Sequence, residues 1–357
     1  MNYHLAMNSI FAGMTPARIF VDDAARPSAA LAWAGHRFHL AGSPHNAAFN
    51  ADLARLFTET IYPHALASGN IMFNLYYAPE QWADKIDTFL PGKYPMQTIR
   101  QYYACNTAQS STTDWRALLP DGFSLHTVDD TLLSQTHLKR LDDLKEEMCS
   151  ERPSVQDFMD KSFGVYLVKG DELAGWCLSE YNSPQRCEVG IETGEPYRKQ
   201  GLGTLMTLAL IELARMKGVR EVGWHCYANN LASAATALKA GLHLVCDYPA
   251  CFAWFNEVDN LVVHGNLCLD RRQYAEASDW YKKAFSRGEA KSWGYWGAAC
   301  NAAELGRQDA AFHYLAKAIE KNPGIDAEQL QQAEHLRSLH GAPQWNALVT
   351  SREHEIH

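Results

Sequence analysis

The chemistry of this sequence is concentrated in one short segment between a predicted strand and a predicted helix. The segment reads Arg-Lys-Gln-Gly-Leu-Gly-Thr and spans residues 198–204. Gly201 and Gly203 lack a Cβ atom, so their backbone amides can approach a ligand closely. Those amides and the N-terminus of the following helix offer oriented donors and a favourable dipole for an anion. Because Arg198 and Lys199 add positive charge, we expect this loop to bind a pyrophosphate.

Three ligand-binding motifs compete for this loop. A dinucleotide fingerprint needs a third glycine, and this sequence has Met206 at that position. A P-loop needs a longer glycine loop that ends in Lys-Ser or Lys-Thr, and the segment has no such ending. The pattern Arg-x-x-Gly-x-Gly, after a strand and before a helix, resembles the acyl-CoA-binding motif of the GCN5-related N-acetyltransferase (GNAT) superfamily. A glycine turn that only tightens the start of a helix is the remaining alternative.

Two features further along the chain strengthen this resemblance. A strand-like stretch over residues 222–226 is followed by Asn229 and Asn230, and the next helix ends in Lys-Ala-Gly at residues 239–241. GNAT proteins have a strand, an asparagine and a helix that closes in Lys-x-Gly at these places. The resemblance covers residues 119–255 and implies an α+β fold, in which a mixed sheet is flanked by helices.

The resemblance implies acetyl-CoA as the donor substrate and carries over a set of contacts. The residues expected to bind acetyl-CoA are Ile191, Thr193, Arg198, Lys199, Gln200, Gly201, Leu202, Gly203, Thr204, Asn229 and Asn230. The loop amides would cradle the pyrophosphate, and the two strand residues would bind the pantetheine arm through their main chain where the sheet splays open. One of the two asparagines would contact the cofactor across that opening.

Direct acetyl transfer in this superfamily needs a general base that deprotonates the attacking amine. Glu192 is the first candidate, because it lies on the strand beside the expected thioester, and Glu188 lies four residues earlier on the same face. His225, on the neighbouring strand, could be a base or an acceptor contact. Each has an ordinary alternative, since strand glutamates are commonly solvated or ion-paired, and a histidine beside Trp224 is commonly a packed core residue.

The expected general acid is missing from this sequence. Many GNAT proteins carry a tyrosine in the closing helix that can protonate the leaving thiolate, and Ala237 stands at the matching position here. Tyr227 could assist instead, or the acidic CoA thiol could leave without a dedicated acid. The sequence leaves these alternatives open.

Composition excludes several functional classes. The 357 residues exceed one ordinary domain of roughly 100–200 residues. A formal net charge of -9 argues against a nucleic-acid-binding or anionic-membrane surface. No apolar run approaches the ~20 residues that cross a bilayer. Nine cysteines without a C-x-x-C pair suit a reduced, cytoplasmic protein, and the histidines at 36, 39 and 45 lack the carboxylates that would complete a metal site.

The chain divides into three predicted domains. Residues 1–117 form an α/β half that resembles a degenerate GNAT copy in a group of bacterial acetyltransferases. This half lacks the Arg-x-x-Gly-x-Gly motif, so we expect it to cover the acceptor groove or to contribute substrate contacts. Residues 118–256 form the catalytic GNAT domain. Residues 257–357 form short, alanine-rich helices.

These C-terminal helices contain a repeat of 34 residues. Its matched positions are Gly265 with Ala299, Ala277 with Ala311, Tyr281 with Leu315, and Ala284 with Ala318. Small residues recur where the paired helices of a tetratricopeptide repeat approach closely, so the segment resembles a tetratricopeptide pair. A helix over residues 327–339 is expected to cap it.

Periodicity predicts the elements that hold the loop in place. Strands are expected at residues 17–21, 28–33, 37–41, 71–77, 164–168, 173–179, 186–193, 220–226 and 251–255. Helices are expected at residues 47–64, 132–148, 203–217 and 231–240, and a polar linker at 105–114.

The sequence therefore predicts an acetyl-CoA-dependent N-acetyltransferase that acts by direct attack of an amine, with a small-molecule acceptor. The alternative is a protein-interaction module whose C-terminal helices recruit a partner that is acetylated or only bound.

Overall fold

The computed structural model describes residues 3–109 and 113–354, which fall into two compact units. The first unit comprises residues 1–46, 74–83 and 97–251. The second comprises residues 47–73, 84–96 and 252–357. The predicted loop and all three predicted catalytic residues belong to the first unit.

Most residues of an eleven-stranded sheet belong to the first unit. Its strands are β1 Arg18–Val21, β2 Ala29–Ala34, β3 Arg37–Gly42, β4 Met72–Ala78, β5 Met96–Asn106, β6 Phe123–Thr127, β7 Gly164–Lys169, β8 Glu172–Asn182, β9 Arg186–Thr193, β10 Glu221–Tyr227 and β11 His243–Trp254. They lie in the order β1-β2-β3-β4-β11-β5-β10-β9-β8-β7-β6. The pairs β3–β4 and β9–β10 are parallel, whereas β5–β10 and β8–β9 are antiparallel. The predicted mixed sheet is confirmed.

The α-helices of the described residues flank this sheet or form the second unit. They are α1 Leu5–Phe11, α2 Ala47–Arg55, α3 Tyr62–Ala67, α4 Ile86–Phe89, α5 Asp130–Ser134, α6 Leu141–Met148, α7 Val155–Lys161, α8 Leu202–Met216, α9 Leu231–Lys239, α10 Glu257–Asp270, α11 Tyr274–Arg287, α12 Ser292–Glu304, α13 Gln308–Lys321, α14 Ala327–Gln332 and α15 Pro343–His354. A π-helical stretch, Leu56–Ile61, joins α2 to α3.

The two faces of the sheet have different covers. On one face, α8 and α9 bury apolar side chains such as Leu205 and Met206 against Trp224. On the other face, α5, α6 and α7 pack on β7 and β8, and Leu5 of α1 packs near Tyr102. Because side chains alternate along a strand, consecutive residues of β9 and β10 face these two different environments.

The sheet opens between its two central parallel strands. Pairing between β9 and β10 covers three residue pairs and ends at Glu188 and Gly223. Beyond that point β9 remains paired with β8 up to Thr193, and β10 remains paired with β5 up to Tyr227. The ends of β9 and β10 therefore diverge, and a split opens directly after Glu188.

One long helix of the sequence prediction is wrong. In place of a continuous helix over residues 132–148, α5 ends at Ser134 and α6 begins at Leu141. Arg140 precedes α6 with φ 65, in the left-handed region that cannot continue a right-handed helix. This conformation directs its guanidinium to Glu192.

Among the elements that the sequence prediction missed are α1, α7, α15 and most of β5. In β5, polar residues such as Gln97 and Gln101 lie between the apolar ones and weaken the strand pattern. The predicted linker at 105–114 begins inside β5, and its residues 110–112 lie outside the described residues. The last predicted strand is longer than expected, because β11 starts at His243.

The C-terminal part of the second unit is all-helical, as predicted. The eight matched repeat positions lie in α10 to α13, and all of them are buried. A Cβ atom on Gly265 would lie 2.6 Å from the ring of Tyr281, so glycine is required for α10 to approach α11. The predicted capping helix is interrupted, because α14 ends at Gln332 and a 3₁₀-helix follows over Glu334–Leu339. The assignment to tetratricopeptide repeats stays an interpretation.

Candidate functional site

A large cleft lies on the α8 and α9 side of the split. Its volume is about 690 Å³, within the range of roughly 300–1,000 Å³ that small-molecule and cofactor sites occupy. The residues that line it are Ile191, Glu192, Thr193, Tyr197, Arg198, Lys199, Gly201, Leu202, Gly203, Thr204, Trp224, Asn230, Ala232, Ser233, Ala235, Thr236 and Lys239. Nine of the eleven residues predicted to bind acetyl-CoA are in this set. Gln200 and Asn229 are not.

The loop at one end of the cleft leads directly into α8. Lys199 and Gly201 have φ 62 and φ 81, and these two left-handed residues turn the chain between the 3₁₀ turn Glu195–Tyr197 and the helix. Gly201 occupies the N-cap position and provides no capping side chain. The first amides of a helix have no partner within the helix, so those of this 15-residue helix are available to a ligand at the cleft.

Two further features shape this end of the cleft. The Arg198 side chain donates from Nε to the Thr193 carbonyl at 3.1 Å, which keeps its charge close to the end of β9. Gly203 faces the cleft, because a Cβ atom there would lie 3.4 Å from Thr236 and 3.5 Å from Ile191. A large side chain at this position would have to extend into the cleft.

The opposite wall of the cleft is one face of α9. Asn230 caps this helix, because its Oδ1 accepts from the Ser233 amide at 3.1 Å. The Trp224 indole donates to the Ser233 hydroxyl at 3.0 Å and joins the wall to β10. Lys239, which sequence reasoning did not assign to the site, adds a third cationic group to the cleft, at the far end of this face. Its helical spacing from Ala232 and Thr236 was the signal that could have revealed it.

A smaller polar pocket adjoins the cleft through the split and shares three lining residues with it. Its volume is about 210 Å³. The residues that line it are Arg37, Arg100, Glu147, Glu180, Glu188, Val189, Gly190, Ile191, Trp224, His225 and Ser233. Two of them, Arg37 and Arg100, come from the N-terminal 117 residues, which were expected to contribute substrate contacts. Sequence reasoning missed both arginines and Glu180.

Glu188 lies in this pocket, where the strands diverge. It is buried, and burial raises the pKa of its carboxyl to about 7, against the lowering effect of Arg37 and Arg100. The His225 side chain is also buried, and its Nε2 lies 3.7 Å from Glu188 Oε2. Burial lowers the pKa of His225 well below its usual value, and the two arginines lower it further. The imidazole is therefore neutral near pH 7, and its Nδ1 lies 2.6 Å from the Tyr248 hydroxyl.

Comparison with known proteins identifies the family. The sequence profile described as GNAT acetyltransferase matches residues 1–251. The chain belongs to the GNAT acetyltransferase family. It is 24% identical over 241 residues to the uncharacterized N-acetyltransferase YdfB of Bacillus subtilis strain 168, and the match covers 67% of this chain and 87% of YdfB.

Two solved structures are similar to this chain. The GCN5-related N-acetyltransferase-like protein from Streptococcus suis 89/1591 has a TM-score of 0.50 and 22% identity, covers 67% of this chain and 89% of its own, and confirms the fold. A GCN5-related N-acetyltransferase from Kribbella flavida has a TM-score of 0.46 and 13% identity, and covers 70% of this chain and 93% of its own. As a GNAT acetyltransferase the chain is an acyltransferase, and members of this family take acetyl-CoA as the donor.

Within this GNAT acetyltransferase, the two predicted base candidates lie in different surroundings. Glu192 lines the cleft, and its carboxylate accepts a hydrogen bond from the Arg140 guanidinium. Arg140 is itself held by Asp143 at 3.2 Å and by the Trp176 ring at 4.8 Å. Among the described residues, Glu188 has no comparably close cationic partner, since the basic group 3.7 Å from its carboxylate is the neutral imidazole of His225.

The side chains at the positions predicted as candidates for acid or metal chemistry lie in other surroundings. Ala237 is buried in the core, and the Tyr227 hydroxyl donates to Asn74 Oδ1 at 2.8 Å. Burial lowers the pKa of His39 to about 3, and His36 lies 3.7 Å from Glu151. Among residues 3–109 and 113–354, no cluster of three or more potential ligands could hold a metal ion. No helix in those same ranges is long and apolar enough to cross a membrane.

Proposed function

We propose that this GNAT acetyltransferase transfers an acetyl group from acetyl-CoA to the amine of a small molecule, with Glu188 as the general base. The observation that carries this proposal is the buried carboxylate of Glu188 at the point where the acceptor-sized pocket meets the cleft. A pocket of about 210 Å³ suits a small acceptor better than a protein surface.

The donor would bind along the cleft. The first amides of α8, with Arg198 and Lys199, would hold the pyrophosphate, because helix N-termini and cationic side chains both favour anions. The unpaired main chain of β9 between Glu188 and Thr193 would bind the pantetheine arm in the manner of an added strand. This arrangement would place the thioester at the split, beside Ile191 and Trp224.

The acceptor would enter from the other side of the split. Its amine is protonated in water and must lose a proton before it can attack. A carboxylate whose pKa lies near 7 is suited to take that proton at neutral pH. The neutral amine nitrogen would then form a bond with the thioester carbon, the carbon–sulfur bond would break, and CoA would leave as a thiolate. The nitrogen would lose its second proton as the amide forms, the thiolate would take up one proton, and Glu188 would release the other to solvent.

The leaving thiolate has no tyrosine on α9 to protonate it, because that position is the buried Ala237. The low pKa of a thiol relative to an alcohol makes departure without a dedicated acid acceptable. Glu192 remains the second candidate for the base, and its ion pair with Arg140 is the reason for placing it second.

The proposal is tested by following free-thiol release from acetyl-CoA in the presence of a panel of small primary amines. We expect at least one amine to accelerate thiol release well above the hydrolysis rate and to yield one acetylated product per thiol. The alternative hypothesis, a partner-recruiting module without small-molecule activity, predicts no amine-dependent release. That outcome, with acetyl-CoA bound, would overturn the proposed function.

A further inference from the structure

The pocket beside the split contains one arginine, Arg100, that has no carboxylate of the described residues within ion-pair distance. Arg100 is 8% exposed, lines the pocket, and pairs in register with Tyr227 across β5 and β10. No carboxylate of residues 3–109 or 113–354 lies within 4.0 Å of its guanidinium. Its Nε is buried without a hydrogen-bond partner. Buried charges in proteins are normally paired, so this guanidinium calls for an anionic partner.

Arg37, the second arginine of the pocket, has carboxylate partners in the same surroundings. Arg37 donates from Nε to Glu151 at 2.7 Å, and its Nη2 lies 3.9 Å from Glu180. Arg100 has only neutral neighbours at close range, the rings of Tyr76 and Tyr227 at 5.7 Å and 4.6 Å and the hydroxyl of Tyr248. Aromatic faces and hydroxyls stabilise a cation but do not neutralise it.

The register of the sheet places Arg100 and Glu188 on the same face. Glu188 is in register with Gly223, and Tyr227, the partner of Arg100, lies four residues further along β10. At about 3.3 Å per residue their offset along the strands is roughly 13 Å, and because β5 and β9 lie on opposite sides of β10 their backbones are also about 10 Å apart across the sheet. Both side chains line the one pocket. Because a water-sized group takes about 30 Å³, a pocket of about 210 Å³ holds roughly seven such groups. A small molecule can therefore contact both residues.

We propose that the acceptor is a small amine that also carries a carboxylate, which the Arg100 guanidinium binds while the amine lies at the split beside Glu188. This inference rests on the proposed function and names the substrate class of the same site. A planar guanidinium matches a carboxylate through two parallel hydrogen bonds. Among the described residues, the pocket offers this one guanidinium without a close carboxylate, and Glu147, Glu180 and Glu188 also line it, so it suits a monoanion better than a doubly charged phosphate.

The test compares matched acceptors in the thiol-release assay. Straight-chain and α-amino acids of two to five carbons would each be compared with the corresponding amide and with the aminoalkyl phosphonate. We expect the best carboxylate to exceed its amide by about 10²–10⁴-fold in kcat/KM, because an amide leaves the guanidinium unpaired. Equal rates for carboxylates and amides, or a preference for the phosphonate, would overturn the inference.

Variants of Arg100 test whether this residue causes the preference for a carboxylate over an amide. In Arg100→Gln the discrimination between carboxylate and amide should fall below about 3-fold, and Arg100→Lys should restore part of it, since lysine keeps the charge without the fork. Arg215→Gln, on the exposed face of α8, is the matched control and should keep the wild-type preference. A carboxylate preference that persists in Arg100→Gln would contradict the assignment.

A binding measurement separates this inference from the proposed function. Arg100 does not line the cleft, so Arg100→Gln should still be stabilised by acetyl-CoA as the wild type is, which also shows that the variant is folded. If acetyl-CoA binds but no amine is acetylated, the proposed function fails. If amines are acetylated without regard to the carboxylate, only the inference about Arg100 fails.

Discussion

Replacing Glu188 by glutamine is expected to lower kcat/KM for amine acetylation by about 10²–10⁴-fold, the usual contribution of a general base. The carboxylate must be ionised to accept the proton of the amine. Since burial raises its pKa to about 7, wild-type kcat/KM should rise with pH below about 7 and level off above it. The variant should lose this ascending limb, because glutamine does not titrate. Thiol release measured from about pH 5.5 to about pH 9 checks both effects.

Two further variants serve as a control and a comparison for this prediction. Glu59→Gln, an exposed carboxylate of the second unit, should retain wild-type kinetics. Glu192→Gln should lose less activity than Glu188→Gln, because the Glu192 carboxylate is paired with Arg140 and is less available as a base. The assignment of the base would be wrong if Glu188→Gln kept more than a third of wild-type activity, or if Glu192→Gln were the more damaged of the two.

The substitution Gly203→Glu is expected to abolish binding of acetyl-CoA. Gly203 lies in the first turn of α8 and faces the cleft, with Thr236 and Ile191 as the nearest groups to an added Cβ. The longer side chain would enter the cleft, and its negative charge would repel the pyrophosphate. A ligand at 100 times its Kd stabilises a folded protein by about 2.7 kcal/mol. Acetyl-CoA should therefore raise the Tm of the wild type and leave that of Gly203→Glu unchanged.

Gly203→Ala is the matched control for this substitution. Its Cβ would make only ordinary van der Waals contacts of 3.4–3.6 Å, so acetyl-CoA should still raise its Tm. The Tm of each variant without ligand shows whether it is folded. A wild-type shift in Gly203→Glu would place the pyrophosphate elsewhere and contradict the description of the cleft.

The sequence predicted most of the loop and strand residues that line the cleft, because these residues are neighbours in the chain. A strand, a glycine turn and a helix follow one another between Arg186 and Met216, and each leaves a local mark in composition and period. The helix that carries Asn230 and Lys239 ends at a glycine, another local signal. The loop, the strand and the helix can therefore be recognised from local sequence, without knowing which distant residues contact them.

The polar pocket was not predictable in the same way, because residues from distant strands line it. Arg100 reaches the site only because β5, from the N-terminal part of the chain, pairs with β10. Tyr248 reaches it because β11 lies between β4 and β5. Alternation along β9 places Glu188 and Glu192 on one face of the strand. It does not show that Glu188 is buried. Nor does it show that Glu192 pairs with Arg140, which lies at the break between α5 and α6.

A calorimetric titration of the wild-type protein with acetyl-CoA is the most direct test of the proposed donor site. The geometry of the loop, the first turn of α8 and the opposite face of α9 predicts saturable binding with one molecule per chain. The same titration with Gly203→Glu should give no binding heat. Absence of binding by the folded wild type would contradict the donor site on which the acetyl transfer, the role of Glu188 and the carboxylate-bearing acceptor all depend.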